Sequence, residues 1–139
     1  MCHFYRIRAV RFAMETEDIN HQYYNEGDKL FKAGRFNEAS KCFHLALEHW
    51  TEDWQALMAL GNCYSEMHKH LKAEASFRNA LDYCPEKERP AILFNLGNAL
   101  YDLQKFVEAV EVYAQIPSSH AIFELASKNA MLAKSRLYP

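Results

Sequence analysis

Residues 54–87, WQALMALGNCYSEMHKHLKAEASFRNALDYCPEK, decide how the whole chain is read. Leu57, Leu60, Gly61 and Tyr64 recur in this stretch at helical spacing, and so do Ala73, Phe77, Ala80 and Leu81. That pattern predicts two amphipathic helices, each with one apolar face. Gly61 precedes Ala73 by twelve residues, and Phe77 follows four later. The same frame stands upstream in Gly27, Ala39 and Phe43, and downstream in Gly97, Ala109 and Tyr113. The glycines are 34 and 36 residues apart (61 − 27 and 97 − 61). A fixed period of this size marks stacked copies of one supersecondary unit, so the fold class is all-α.

Working outward, the first copy spans residues 20–53 and the third begins at residue 90. The first has Tyr23, Gly27 and Leu30 on its opening helix. Its turn runs Lys32-Ala33-Gly34-Arg35, with Gly34 placed as a helix terminator. Its second helix carries Ala39, Phe43, Ala46 and Leu47 on one face. Thr51 is the expected N-cap of the next helix, with Glu52 and Asp53 in its first turn. Pro85 closes the second unit, since proline cannot continue a helix interior. The two-residue insertion Glu88-Arg89 falls in a connector, where extra length costs little.

A glycine in a helix interior costs about 1 kcal/mol relative to alanine. Three at one frame therefore imply a packing reason. Paired helices approach closely only where side chains are small, so Gly27 is expected against Ala39, Gly61 against Ala73 and Gly97 against Ala109. The aromatics would then fill the wider gap toward the next unit. Trp50 and Trp54 flank the first connector between units and are expected to clamp the units together.

The residues Leu60-Gly61, Tyr64, Ala73, Phe77, Ala80 and Pro85 resemble the tetratricopeptide repeat, a 34-residue helix–turn–helix. Leu96-Gly97, Leu100, Ala109 and Tyr113 match the same frame, as do Gly27, Leu30, Gly34, Ala39, Phe43 and Ala46. There are departures. Glu26 stands where leucine is usual, and His68 and Gln104 occupy the turn-glycine positions. Ile116-Pro117 replaces the usual Ala-Leu, so the sixth helix is expected to end early. The resemblance implies an α–α superhelix of three repeats, 20–53, 54–87 and 90–117. Ile122, Leu125, Ala126, Ala130, Ala133 and Leu137 then predict a capping helix over 119–137, started by Ser118 or Ser119. Residues 1–19 are expected to form a flexible arm outside the repeat domain.

The family frame also implies a concave groove lined by the first helix of each pair. The groove residues it assigns are Tyr24, Asp28, Phe31 and Lys32 in the first unit, and Gln55, Met58, Asn62 and Glu66 in the second, with Ala59 and Ser65 beside them. In the third they are Phe94, Asn95, Asn98 and Tyr101, with Ala91 and Asp102 beside them. Aromatic and amide groups suit a peptide or helix of another protein. The implied role is an adaptor or scaffold. A chaperone-like holder of secreted or unstable clients is the first alternative. A self-assembling structural protein, for instance a homodimer, is the second. Repeats that hold chaperone C-terminal carboxylates use lysine, asparagine and arginine. The matching positions here are Tyr24, Asp28, Ala59, Ala91 and Asn95, so no heat-shock tail is expected as a partner.

Charge and motifs narrow the function further. The chain carries a formal net charge of −2. Arg6, Arg8 and Arg11 give residues 1–13 a charge of +3, which leaves −5 for the rest (−2 − 3). An acidic body lacks the basic stripe that phosphate contacts require, so no nucleic acid is expected. No apolar run approaches the roughly 18 residues of a membrane span. Cys2, Cys42, Cys63 and Cys84 form no C-x-x-C pair, which predicts no disulfide framework and a cytoplasmic setting. His68 and His70 flank one lysine but lack the third and fourth ligands of a metal site, so no metal or cofactor is expected. No phosphate-binding loop or nucleophile motif occurs, and no catalytic residue is assigned. Deleting residues 118–139 should leave the last apolar face in water. The expected result is aggregation or loss of a single cooperative transition, read by circular dichroism melting and light scattering.

Overall fold

The computed structural model describes residues 16–139. Most of the flexible arm expected over residues 1–19 lies outside the described residues. Among the described residues seven α-helices follow one another: α1 Thr16–Lys32, α2 Phe36–His49, α3 Trp54–Glu66, α4 His70–Tyr83, α5 Arg89–Asp102, α6 Phe106–Ala114 and α7 Phe123–Leu137. A 3₁₀ turn, Glu86–Glu88, takes up the insertion before α5. The repeat domain starts earlier than residue 20. Helix α1 is already formed at Thr16, and Ile19 is buried with Tyr23, Ala46 and Ala56.

The pairs α1–α2, α3–α4 and α5–α6 are antiparallel neighbours joined by short turns, and each pair packs on the next. The turns are one motif used three times. Arg35, Lys69 and Lys105 donate backbone N–H to the carbonyls of Leu30, Tyr64 and Leu100. Gly34, His68 and Gln104 donate to those of Phe31, Ser65 and Tyr101. This double bond pattern needs a left-handed residue after the helix. Gly34 has φ +76°, and His68 and Gln104 adopt +58° and +61° despite their side chains.

The glycines do their work against the aromatics rather than the alanines. A Cβ added to Gly27 would stand 2.7 Å from Phe43 Cε1, and one on Gly61 would stand 2.5 Å from Phe77 Cε1. At Gly97 the ring is that of Tyr113. The ring fills the space over the glycine of its own pair. Ala39, Ala73 and Ala109 are fully buried in the same core.

Four local expectations change. Asp53, not Thr51, caps α3: its carboxylate accepts the N–H groups of Gln55 at 3.0 Å and Ala56 at 3.1 Å. Asp53 is buried and also accepts from Asn20 Nδ2 at 2.6 Å, so the cap ties α1 to α3. Helix α7 starts at Phe123 rather than near residue 119, and His120 Nδ1 accepts the Ile122 N–H in place of a serine cap. Trp54 packs on the core, whereas Trp50 is 44% exposed and does not clamp. Helix α6 ends at Ala114, short as Ile116-Pro117 implied, and Ile116 is buried. Cys63 and Cys84 are free thiols, but Cys42 is disulfide-bonded, which departs from the expectation of a disulfide-free chain.

Helix α7 reads as the first helix of a fourth unit. Its buried Ala126 and Ala133 stand 34 residues after Ile92 and Ala99 (126 − 92 and 133 − 99), which are buried in α5. Met131 stands 34 residues after Gly97 and is 70% exposed. A long side chain there occupies the place where a following ring would need room.

On the outer side, Glu74 of α4 accepts from Arg78 at 2.9 Å and from Lys105 at 2.8 Å, and Arg78 reaches Glu108 of α6 at 3.1 Å. Burial alone would raise the Glu74 carboxyl, but the bonds from Lys105 and Arg78 hold it below the usual carboxylate range. That contribution to stability is present at neutral pH and is lost as pH falls through the folded-state value. Gly61→Leu should destabilise by about 3 kcal/mol, because the buried Phe77 ring has nowhere to move. Urea unfolding measures it, and an unchanged midpoint would refute the ring-over-glycine account.

Candidate functional site

The first helices form an inner layer. Helix α1 touches α3, α3 touches α5 and α5 touches α7, whereas the backbones of the second helices meet at most marginally. A stack that is closer on one side curves toward it, so the first helices line the concave face. Side chains as long as those of Arg78 and Glu108 are needed to bridge the outer layer.

A cleft of about 200 Å³ opens on this inner face. It brings together Phe31 of α1, Asn62, Ser65 and Glu66 of α3, and Asn95, Asn98 and Asp102 of α5. Five of the assigned groove residues therefore meet: Phe31, Asn62, Glu66, Asn95 and Asn98. Asn95 Nδ2 donates to Asn62 Oδ1 at 3.2 Å, one rung of amides between neighbouring first helices.

The other assigned residues do not line this cleft. Tyr24 is half-buried with its ring centroid 5.5 Å from that of Phe43. Burial raises its phenol above the ordinary value, and Asp28 and Asp53 add to the rise. Asp28 and Lys32 pair with each other at 2.6 Å. Gln55 is exposed, while Met58, Phe94 and Tyr101 are half-buried against the core. Tyr101 and Phe31 each meet a ring of the following helix, Phe106 at 5.2 Å and Phe36 at 5.1 Å. These large groups therefore carry part of the packing as well as lining the inner face.

Asn98 is also committed to the fold. Its Oδ1 accepts from Tyr113 Oη at 2.5 Å and from Asn129 Nδ2 of α7 at 3.0 Å. Burial pushes the Tyr113 phenol up to about 12. Arg136 of α7 donates to Tyr101 Oη at 3.3 Å. Asn129 and Arg136 thus stand at the end of the groove, at the register of Asn95 and Asp102 (129 − 95 = 34 and 136 − 102 = 34), a placement that matching Ala126 and Ala133 to Ile92 and Ala99 makes legible in the sequence. Among the described residues, no group of three or more His, Cys, Asp or Glu is arranged to hold a metal. Burial pushes the Cys63 thiol up to about 12, which removes it as a thiolate nucleophile.

The tetratricopeptide repeat profile matches residues 24–66 and 64–121. The chain belongs to the tetratricopeptide repeat family. Comparison with curated proteins finds no match. Among solved structures, this tetratricopeptide chain is similar to the first repeat domain of Spaghetti (RPAP3) bound to an HSP90 peptide, with 18% identity, TM-score 0.76, and 88% of this chain and 98% of that one covered. It is similar to the Yersinia enterocolitica type III secretion chaperone SycD in complex with a peptide of the translocator YopD, with 19% identity, TM-score 0.75, and 86% and 95% covered. It is also similar to YrrB, described as having an unusual peptide-binding site, with 17% identity, TM-score 0.78, and 95% and 66% covered. At these identities the likeness is one of fold. Proteins of this fold thus include several that bind peptides. No helix among the described residues is long and apolar enough to cross a membrane.

Asn98→Ala should leave the Tyr113 hydroxyl and the Asn129 amide without their shared acceptor. The expected loss is about 1–3 kcal/mol of unfolding free energy, read by chemical denaturation. No loss would return Asn98 to the set of groups free for a ligand.

Proposed function

We propose that this tetratricopeptide domain is an adaptor that holds an extended peptide or a helix of another protein in its concave groove. One observation carries the reading: the inner face keeps an open cleft lined by amides and an aromatic ring after the helices have packed. The exposed lining is mostly polar, which suits recognition of a peptide backbone or a polar side chain. Asn62 and Asn95 use one amide bond between them, which leaves the Asn62 Nδ2 and the Asn95 Oδ1 to face a ligand backbone. Phe31 supplies a ring at the edge of the same cleft. Peptide complexes of SycD and of the RPAP3 domain, which share the fold, support this reading.

An acidic C-terminal tail fits poorly. The five positions that would hold it are Tyr24, Asp28, Ala59, Ala91 and Asn95, and the cation nearest to Asp28 is Lys32, which Asp28 already binds.

The test is affinity purification with the wild-type chain, a Phe31→Ala/Asn95→Ala variant, and Asn79→Ala as an exposed control on α4. Partners should be retained by wild type and control and lost from the double variant. An identical set from all three, with unchanged melting curves, would refute groove binding.

A further inference from the structure

The cleft has a sign. Glu66 is the last residue of α3 and Asp102 the last of α5. They occupy one register (102 − 66 = 36), and the equivalent residue of α1 is Lys32 (66 − 32 = 34). The C-terminal end of a helix carries about half a negative charge, so a cation is the group that stabilises it. Helix α1 follows that rule with Lys29 and Lys32 in its last turn. Helices α3 and α5 break it, with no basic residue in the last turn and a carboxylate at the end. Two neighbouring inner helices therefore bring a full negative charge each to one cleft at their C-terminal ends.

The nearby cations are largely engaged elsewhere. Arg136 of α7 stands at the same register (136 − 102 = 34) and donates to Tyr101 Oη at 3.3 Å. Lys32 is bound by Asp28 and Lys105 by Glu74. His70 Nδ1 has no hydrogen-bond partner among the described residues and stands 3.6 Å from Asp102 Oδ2, an ion pair only when the imidazole is protonated. His68 and Lys69 are exposed in the turn beyond Glu66. Local rules broken together at one place mark a site where stability has been given up for something else.

We propose that the groove selects a cationic peptide, with an arginine or lysine side chain seated in the cleft that Glu66 and Asp102 share. A guanidinium or ammonium can donate to both carboxylates and to Asn95 Oδ1, and charge-assisted bonds of this kind exceed neutral ones in strength. The Phe31 ring offers a face for the cation. The Asn62 amide takes a peptide carbonyl alongside. This proposal rests on the groove reading above and adds the chemistry of its ligand.

The experiment uses the full chain and labelled short peptides identical except at two central positions, which carry arginine, glutamine or glutamate. Fluorescence anisotropy at low and moderate salt reads binding, and a peptide ending in Glu-Glu-Val-Asp serves as a second acidic probe. The arginine peptide should bind at least about tenfold more tightly than the glutamine peptide. That ratio should shrink as salt rises. Glu66→Gln/Asp102→Asn removes two charges that the helix ends disfavour, so it should fold, and it should erase the ratio. A preference for either acidic peptide, or an arginine preference that survives the double substitution, overturns the proposal. Equal affinity for all peptides, lost in Phe31→Ala, would overturn charge selection but keep the groove. No binding of any peptide to the folded chain would overturn both.

Discussion

A ring pressed onto a glycine holds this molecule together. Phe43, Phe77 and Tyr113 are almost fully buried, and each has its nearest approach over Gly27, Gly61 or Gly97 of the paired helix. The contact sets how close the two helices stand and how they are rotated about their axes. Once the pair is set, its remaining apolar face must meet the next pair, and the copies stack. The period seen in the sequence is the period of this one contact.

From that constraint follows the division of labour between layers. Rings sit on the second helices and glycines on the first, so each ring is taken up by the first helix of its own pair. The backbones of α1, α3, α5 and α7 touch in turn, while the outer layer is joined through long side chains such as Arg78 and Glu108. The concavity follows from that difference in spacing between the two layers. Turn geometry reinforces it. His68 and Gln104 adopt a left-handed backbone that a glycine would reach more easily. The paired carbonyl bonds of the turn and the packing on both sides hold them there.

Much of this architecture was legible because it is periodic. Helix identity, the three units, the early stop at Ile116-Pro117 and the seventh helix all leave a repeated or abrupt mark in residue type. Single choices between neighbouring candidates left none. Thr51 and Asp53 are both good caps, and the decision fell to Asp53 because Asn20, 33 residues away, binds it from α1. Ser118 and Ser119 are good caps too, yet Ile116 must be buried first and the chain needs further turns before α7 can dock. The partners of Asn98 were invisible for the same reason. Tyr113 and Asn129 reach it from helices whose relative placement exists only after folding.

The groove residues divide along a physical line. Family position marks which side of a first helix a residue occupies, but it says nothing of what else competes for that residue. Nearer the middle of the helices, competitors are close: Phe43 for Tyr24, and the core for Met58 and Phe94. Toward the C-terminal ends the helices diverge into turns, and fewer side chains can reach in. Phe31, Glu66 and Asp102 lie there, together with the Asn62–Asn95 rung. Open space, uncommitted polar groups and concentrated negative charge therefore coincide at one end of the concave face. A ligand gains most by binding at that end, because the fold has already used the rest.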